Sequence, residues 1–203
     1  MEVKLIHFTP LHIASTAIRK CWDSGDKSDT TETPIGKVCG VKDKELIYRV
    51  GNKFKHASTL EHLNYTFDID SVSRALLQEV ARHRHASISV KSTRYTLKEL
   101  KEADDLSIFT IDSKYKSYDY QTLKHIQDEL RLGGSNDQIK YMLPESYKTS
   151  YVWTINARSL QNFLALRTNK SALWEIRKLA YEVFNQLPEE HKYLFTEFLY
   201  KES

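Results

Sequence analysis

Between Arg82 and Arg94 the chain reads RHRHASISVKSTR, in which three arginines, two histidines, one lysine and four hydroxyl side chains share thirteen positions with three aliphatic residues. Guanidinium groups match phosphate oxygens through paired hydrogen bonds and stay charged at any working pH. Ser87, Ser89, Ser92 and Thr93 add hydroxyls that can fill the remaining acceptor sites of a phosphate. The run therefore suits a ligand with several negative charges. A solvated basic turn has the same composition, and from these residues alone both readings stand.

Two other chemistries fit parts of the run. His83 and His85 would put two imidazoles on one face of an extended segment, with His56, Glu61 and His62 as further metal ligands for a hydrolase. No HExxH or CxxC spacing supports that reading, and no metal site is expected. The basic residues and their aromatic neighbours would also suit RNA. Thirty basic against 27 acidic residues leave a net charge of only +3, however, and no RNP-type or KH-type signature is present, so no nucleic-acid partner is expected.

The elements that must position these residues can be read from periodicity. At 203 residues the chain can build one sizeable core, and no Pro/Gly/Ser-rich linker divides it, which predicts a single domain over 1–203. VKLIHF suits a strand, and Ile13, Ala14, Ala17, Ile18 and Cys21 recur at helical spacing. Residues 25–42 are polar with Pro34, Gly36 and Gly40, which predicts a loop able to act as a lid. KELIYRVGNKF suits a helix. EHLNYTFDID alternates, with Leu63, Tyr65, Phe67 and Ile69 on one face of a half-buried strand. Ser71 or Ser73 then caps a helix whose stripe is Val72, Leu76, Leu77 and Val80 and which carries Gln78 and Arg82 one turn apart. A long helix ends at Gly133–Gly134, a short one stops at Pro144, SYKTSYVWTI is β-rich, and helices follow from Ala157 onward, the last opening near Pro188. No stretch approaches the ~18 apolar residues of a membrane span and no secretory pattern opens the chain, so a cytoplasmic protein is expected. Cys21 and Cys39 fit a reducing compartment, and neither is assigned chemistry.

Arg82-His83-Arg84, then seven residues and Ser92, then Arg94-Tyr95, resembles the signature of the flavin-dependent thymidylate synthases. HASTLEH at 56–62, LLQEVARHR, and WTINARSLQNFLALR with LWEIR resemble that family's other blocks in the same order, from about His56 to Trp174. The resemblance implies an α+β fold, an antiparallel sheet packed with helices, assembled as a homotetramer whose FAD sites draw residues from more than one chain. It implies that dUMP becomes dTMP, with methylenetetrahydrofolate as one-carbon donor, NADPH as reductant and FAD as cofactor. The phosphates of dUMP and FAD would then explain the basic run.

Position by position, the resemblance places FAD against Ser58 and Glu61, against Arg82, His83 and Arg84, and against Asn156, Arg158 and Asn162, with His56 near the flavin ring and the folate. Arg158 and Asn162 also lie one helical turn apart, opposite the apolar Leu160, Phe163 and Leu164, and Asn156 suits the cap of that helix. The resemblance places dUMP against Gln78 and Arg82, against Ser92, Arg94 and the Lys91 backbone between them, and against Lys140 and Arg167. Arg167 facing N3 and the adjoining carbonyl of uracil would favour the N3-ionised ring and raise electron density at C5, so that no protein thiol is needed. Ser92 lacks a neighbouring base in the sequence and is assigned to binding rather than to nucleophilic attack.

Four departures from the family pattern stand out. Ser89-Val90 replaces a frequent Asn-Glu, Lys140 replaces an arginine, Ser171 replaces a histidine and suits a helix cap, and His85 stands where an aliphatic residue is common.

Overall fold

The computed structural model describes residues 1–34 and 36–201. In chain order the elements are β1 (Glu2–Phe8), α1 (His12–Cys21), β2 (Thr31–Thr33), β3 (Gly36–Val38), α2 (Val41–Tyr48), β4 (Asn64–Ser73), α3 (Arg74–Ala81), β5 (Ala86–Val90), α4 (Thr93–Glu102), α5 (Lys116–Arg131), α6 (Asn136–Ile139), β6 (Lys148–Asn156), α7 (Ala157–Arg167) and α8 (Trp174–Gln186). The main sheet has the order β1-β4-β6-β5 and is antiparallel, which makes the fold α+β as expected. The chain divides into two compact units, each discontinuous in sequence: Met1–Glu2, Ile69–Arg82 and Ile88–Val152 form one, and Val3–Asp68, His83–Ser87 and Trp153–Ser203 the other. Strands β4 and β6 contribute residues to both.

In the unit containing α7, alternation along β4 sends Leu63, Tyr65 and Phe67 fully inward. Trp153 and Ile155 of β6 and Leu160, Phe163 and Leu164 of α7 are buried with them. Ile176, Leu179, Ala180 and Val183 form the buried stripe of α8. In the other unit, Leu97 and Leu100 of α4 pack with Leu123, Ile126 and Leu130 of α5, and Gln127 donates to the Leu100 and Ala103 carbonyls at 3.0 and 2.8 Å. Ser73, not Ser71, caps α3, its hydroxyl accepting from Leu76 N–H at 2.9 Å.

Four stretches differ from the sequence reading. Residues 25–42 are not an open loop: among them β2 and β3 pair antiparallel, Thr31 opposite Val38. Asp29 caps α2 by accepting from Lys42 and Asp43 N–H at 2.8 and 3.0 Å, and Gly40 leaves no room for a side chain against Asp29. Buried Asp43 accepts from Arg19 Nε at 2.6 Å, Ser28 Oγ at 2.6 Å and Thr30 Oγ1 at 2.8 Å. Burial alone would raise its carboxyl pKa, but the two hydroxyls and the guanidinium outweigh it and hold the group below its ordinary range. Second, helix α3 gives way to a turn over residues 82–85 as read, but residues 86–90 then form strand β5 and α4 opens at Thr93; α4 went unread because its polar sequence hides two leucines. Third, the segment after Pro188 forms only the short 3-10 turns Glu189–Leu194 and Thr196–Phe198. Fourth, Ser171 does not cap α8, which opens at Trp174; its N–H and hydroxyl both bind Asn169 Oδ1 at 2.9 Å.

His191 in the first of those turns is fully buried, with Nδ1 2.8 Å from the Tyr65 hydroxyl, and Nε2 has no hydrogen-bond partner among the described residues. Burial pushes its pKa down to about 4, Glu190 opposing and Lys44 adding to the effect. A folded-state pKa below the unfolded value means that the unfolded chain takes up the proton first. Stability should be full above the ordinary histidine pKa and fall by roughly 3 kcal/mol as pH drops from about 6.5 to about 4. Denaturant titrations across that range should show this slope in the native sequence and a flatter one in His191→Gln.

Candidate functional site

The 3-10 segment Ala57–His62 leads into β4, and β6 runs directly into α7. Ala157 N–H donates to Leu63 O at 2.7 Å, so the end of that segment and the start of α7 are tied together. Asn156 caps α7 as expected, its Oδ1 accepting from Ser159 N–H at 2.9 Å. One residue into the helix, Arg158 Nη1 meets Glu61 Oε1 at 2.8 Å. Arg158, Asn162, Ser58 and His56 are all exposed. Six of the residues expected at the cofactor, His56, Ser58, Glu61, Asn156, Arg158 and Asn162, thus lie within or at the edge of two adjoining backbone segments.

At the far end of α7, Arg167 Nε donates to His83 Nε2 at 2.9 Å. The His83 ring stands edge-on to Phe163 with centroids 4.9 Å apart, and Phe163 packs in turn against Trp153 at 5.0 Å. A buried aromatic pair therefore fixes the imidazole, and the imidazole fixes the plane of the guanidinium. Arg82, the C-cap of α3, and Arg84 are exposed and form no ion pair among the described residues.

In the other unit, Gln78 Nε2 lies 2.9 Å from both carboxylate oxygens of Glu145. Ser92 is the N-cap of α4, but its hydroxyl makes no capping bond, while its carbonyl accepts from Tyr95 and Thr96 N–H at 3.2 Å. The helix N-terminus carries partial positive charge at that point, which adds to the field of Arg94. Arg94 Nε contacts Asp137 at 2.9 Å, and Lys91 Nζ contacts Glu99 at 2.7 Å. The Lys91 backbone N–H is taken by Ser150 O at 2.9 Å and its side chain by Glu99, which leaves the Lys91 carbonyl for a ligand. Lys140 lies 5.9 Å from the Tyr141 ring centre. The residues expected at FAD, apart from Arg82, belong to one unit, and those expected at dUMP, apart from Arg167, to the other.

The sequence reading missed a pocket of about 720 Å³ beside His56 and Ser58, lined also by Trp22, Lys27, Arg49 and Phe54. Trp22 is 76% exposed and Phe54 63%, although both are large and apolar. A sequence signal existed: Trp22 follows the last turn of a helix and Phe54 falls between two lysines, so both large apolar rings stand among polar neighbours. Cys21 also lines the pocket, and both cysteines are free. Among the described residues, no three His, Cys, Asp or Glu side chains converge as a metal site, and no helix is long and apolar enough to cross a membrane.

Comparison with known proteins gives one family. A model described as thymidylate synthase complementing protein matches residues 4–191. The flavin-dependent thymidylate synthase of Campylobacter jejuni (strain RM1221) is 53% identical over 213 residues, covering all of this chain and 99% of its own. That of Wolinella succinogenes is 54% identical over 206 residues, covering 96% of this chain and 97% of its own. A crystal structure of thymidylate synthase X from Helicobacter pylori with FAD and dUMP superposes with a TM-score of 0.89 at 47% identity, over 99% of this chain and all of that one. With a family model matching most of its length and relatives more than half identical along all or nearly all of it, the chain belongs to the flavin-dependent thymidylate synthase family.

Proposed function

We propose that the protein converts dUMP to dTMP, taking the one-carbon unit from methylenetetrahydrofolate and reducing power from NADPH through FAD. The whole-length likeness to curated flavin-dependent thymidylate synthases supports this reading most. We take 1–203 as one functional domain, since both compact units are discontinuous and share strands, and we place it in the cytoplasm. The sites would lie at the boundaries of a homotetramer, where residues of more than one copy meet one ligand.

The side chains present suit FAD. Arg82, Arg84 and Arg158 offer bidentate donors for a pyrophosphate, with Ser58, Asn156, Asn162 and His83 as polar partners and Glu61 as an acceptor. The Arg158–Glu61 pair does not obstruct this, because an exposed ion pair is worth only about 0–1 kcal/mol and is readily exchanged for a phosphate contact. Bound and reduced, FAD would supply the reducing equivalents and help move the one-carbon unit. The chain's own part is binding, orientation and charge. Ser92, Arg94 and the α4 N-terminus would hold the dUMP phosphate with Arg82, Lys140 adding a point charge and Gln78 and the Lys91 backbone setting the nucleoside.

Arg167 would face N3 and the adjoining carbonyl of uracil. A fixed cation there lowers the energy of the N3-ionised ring, and the charge it stabilises spreads to C5, the atom that must attack. Because His83 already holds the guanidinium plane, little reorganisation is left for the reacting complex. The pocket beside His56 would take the folate, with Trp22 and Phe54 flanking its flat ring and Lys27 and Arg49 facing its carboxylates.

The purified protein should be yellow with bound flavin and should oxidise NADPH faster when dUMP is added; a colourless protein that cannot be loaded with FAD would refute the reading. Arg167→Ala should lose roughly 100- to 1000-fold in kcat for dTMP formation with FAD still bound, as removal of one preorganised electrostatic donor typically costs. Trp22→Ala should raise the folate KM by about tenfold and leave the affinity for FAD unchanged, which steady-state kinetics and flavin titration would check.

A further inference from the structure

We propose that Asn52 and Gln161 are a positioning pair that sets the register of the His56–Glu61 segment against α7, and with it the geometry of the residues assigned to FAD. The proposal rests on the reading above. The segment is reached through an unusual backbone: Arg49–Lys53 forms a π turn, with Phe54 N–H bonded to Arg49 O at 2.9 Å and His56 N–H to Val50 O at 3.0 Å. Lys55 then takes a left-handed conformation with φ of 57°. Neither feature is favoured by local preference, since π turns are rare and a non-glycine residue at positive φ is strained. Something outside the segment must hold it.

Asn52 supplies that hold. It is 9% exposed, and its Nδ2 donates to Leu194 O at 3.0 Å and to Glu197 Oε1 at 2.6 Å. Its Oδ1 accepts from Gln161 Nε2 at 3.2 Å, and the same Gln161 nitrogen donates to Leu194 O at 2.9 Å. Gln161 lies on α7 between Arg158 and Asn162, facing inward where those two face outward. Gly51, next to Asn52, has no room for a side chain because a Cβ would fall 2.8 Å from Leu60. The π turn and the Ala57–His62 segment are therefore packed as one body, and the amide pair fastens that body to α7.

Two other fastenings reach the segment: the Ala157 N–H to Leu63 O bond at 2.7 Å ties only its far end to the first residue of α7, and one ion pair joins it further along the helix. Arg158–Glu61 joins the same two segments, but both side chains are about half exposed, and such pairs contribute little. Buried amides leave their partners unsatisfied when removed, which makes Asn52 and Gln161 the stronger determinant of register.

Gln161→Met keeps the length and burial of the side chain and removes both donations. Two measurements are made on it. Hydrogen exchange of the cofactor-free protein should show amides of residues 54–62 opening about tenfold faster while α8 is unchanged, and FAD titration should show a dissociation constant raised on the order of tenfold, with an altered spectrum of the bound flavin. A merely structural role would lower the melting temperature alone. Unchanged exchange over 54–62, or unchanged FAD affinity and spectrum, overturns the proposal. Should Gln161→Met not fold, Glu197→Gln weakens the same network at its edge and should move both readouts in the same direction by two- to threefold, with no movement again overturning it. If the native protein takes up no FAD, the functional reading falls, and the exchange comparison still decides whether this pair sets the register.

Discussion

One backbone hydrogen bond, from Ala157 N–H to Leu63 O at 2.7 Å, joins the two places where chemistry-bearing residues leave the core. Leu63 is the last residue before β4 and Ala157 the first of α7, so the bond closes the register of β4 and β6 at that end of the sheet. Glu61 lies two residues before it and Arg158 one residue after. A slip of β6 by one residue would turn Trp153 and Ile155 outward and remove Asn156 from its cap, so the inward set enforces the outward one.

The same logic extends along α7. Leu160, Phe163 and Leu164 bury one stripe, which leaves Arg158 and Asn162 on the opposite face and brings Arg167 to the end of the helix beside His83. His83 is held by ring contact with Phe163, a residue of that buried stripe. Core packing and guanidinium placement are thus one property of the helix.

Much of this was legible in the sequence because it rests on short-range pattern. Alternation over Leu63–Ile69 located β4 and its buried face, Asn156 announced the start of α7, and the Arg82–Arg94 run with its serine spacing pointed to the family. What stayed hidden depends on contacts between residues far apart in the chain. Asp43 falls between the expected loop and the expected helix, and nothing near it in the sequence shows that Arg19, Ser28 and Thr30 converge on it. Asn52 and Gln161 are 109 positions apart, and neither has a neighbour in the sequence that hints at the other. The π turn was read as ordinary helix because apolar periodicity does not register one widened turn. The segment after Pro188 was read as helix because a proline start and apolar residues are common to helices and to 3-10 turns alike.

The three tryptophans occupy unlike surroundings: Trp153 is 1% exposed, Trp174 52% and Trp22 76%. An indole in water emits at longer wavelength than one sealed in hydrocarbon, so the molecule carries its own optical labels. The red-edge emission comes from Trp22 at the mouth of the pocket together with the half-exposed Trp174, and the Trp22 share lies close enough to an occupant to be quenched by it. The blue-edge emission comes from Trp153, which meets Phe163 edge-on, and it reports on the integrity of the interior instead. Filling the pocket and loosening the core are therefore distinguishable by colour alone, without any added dye.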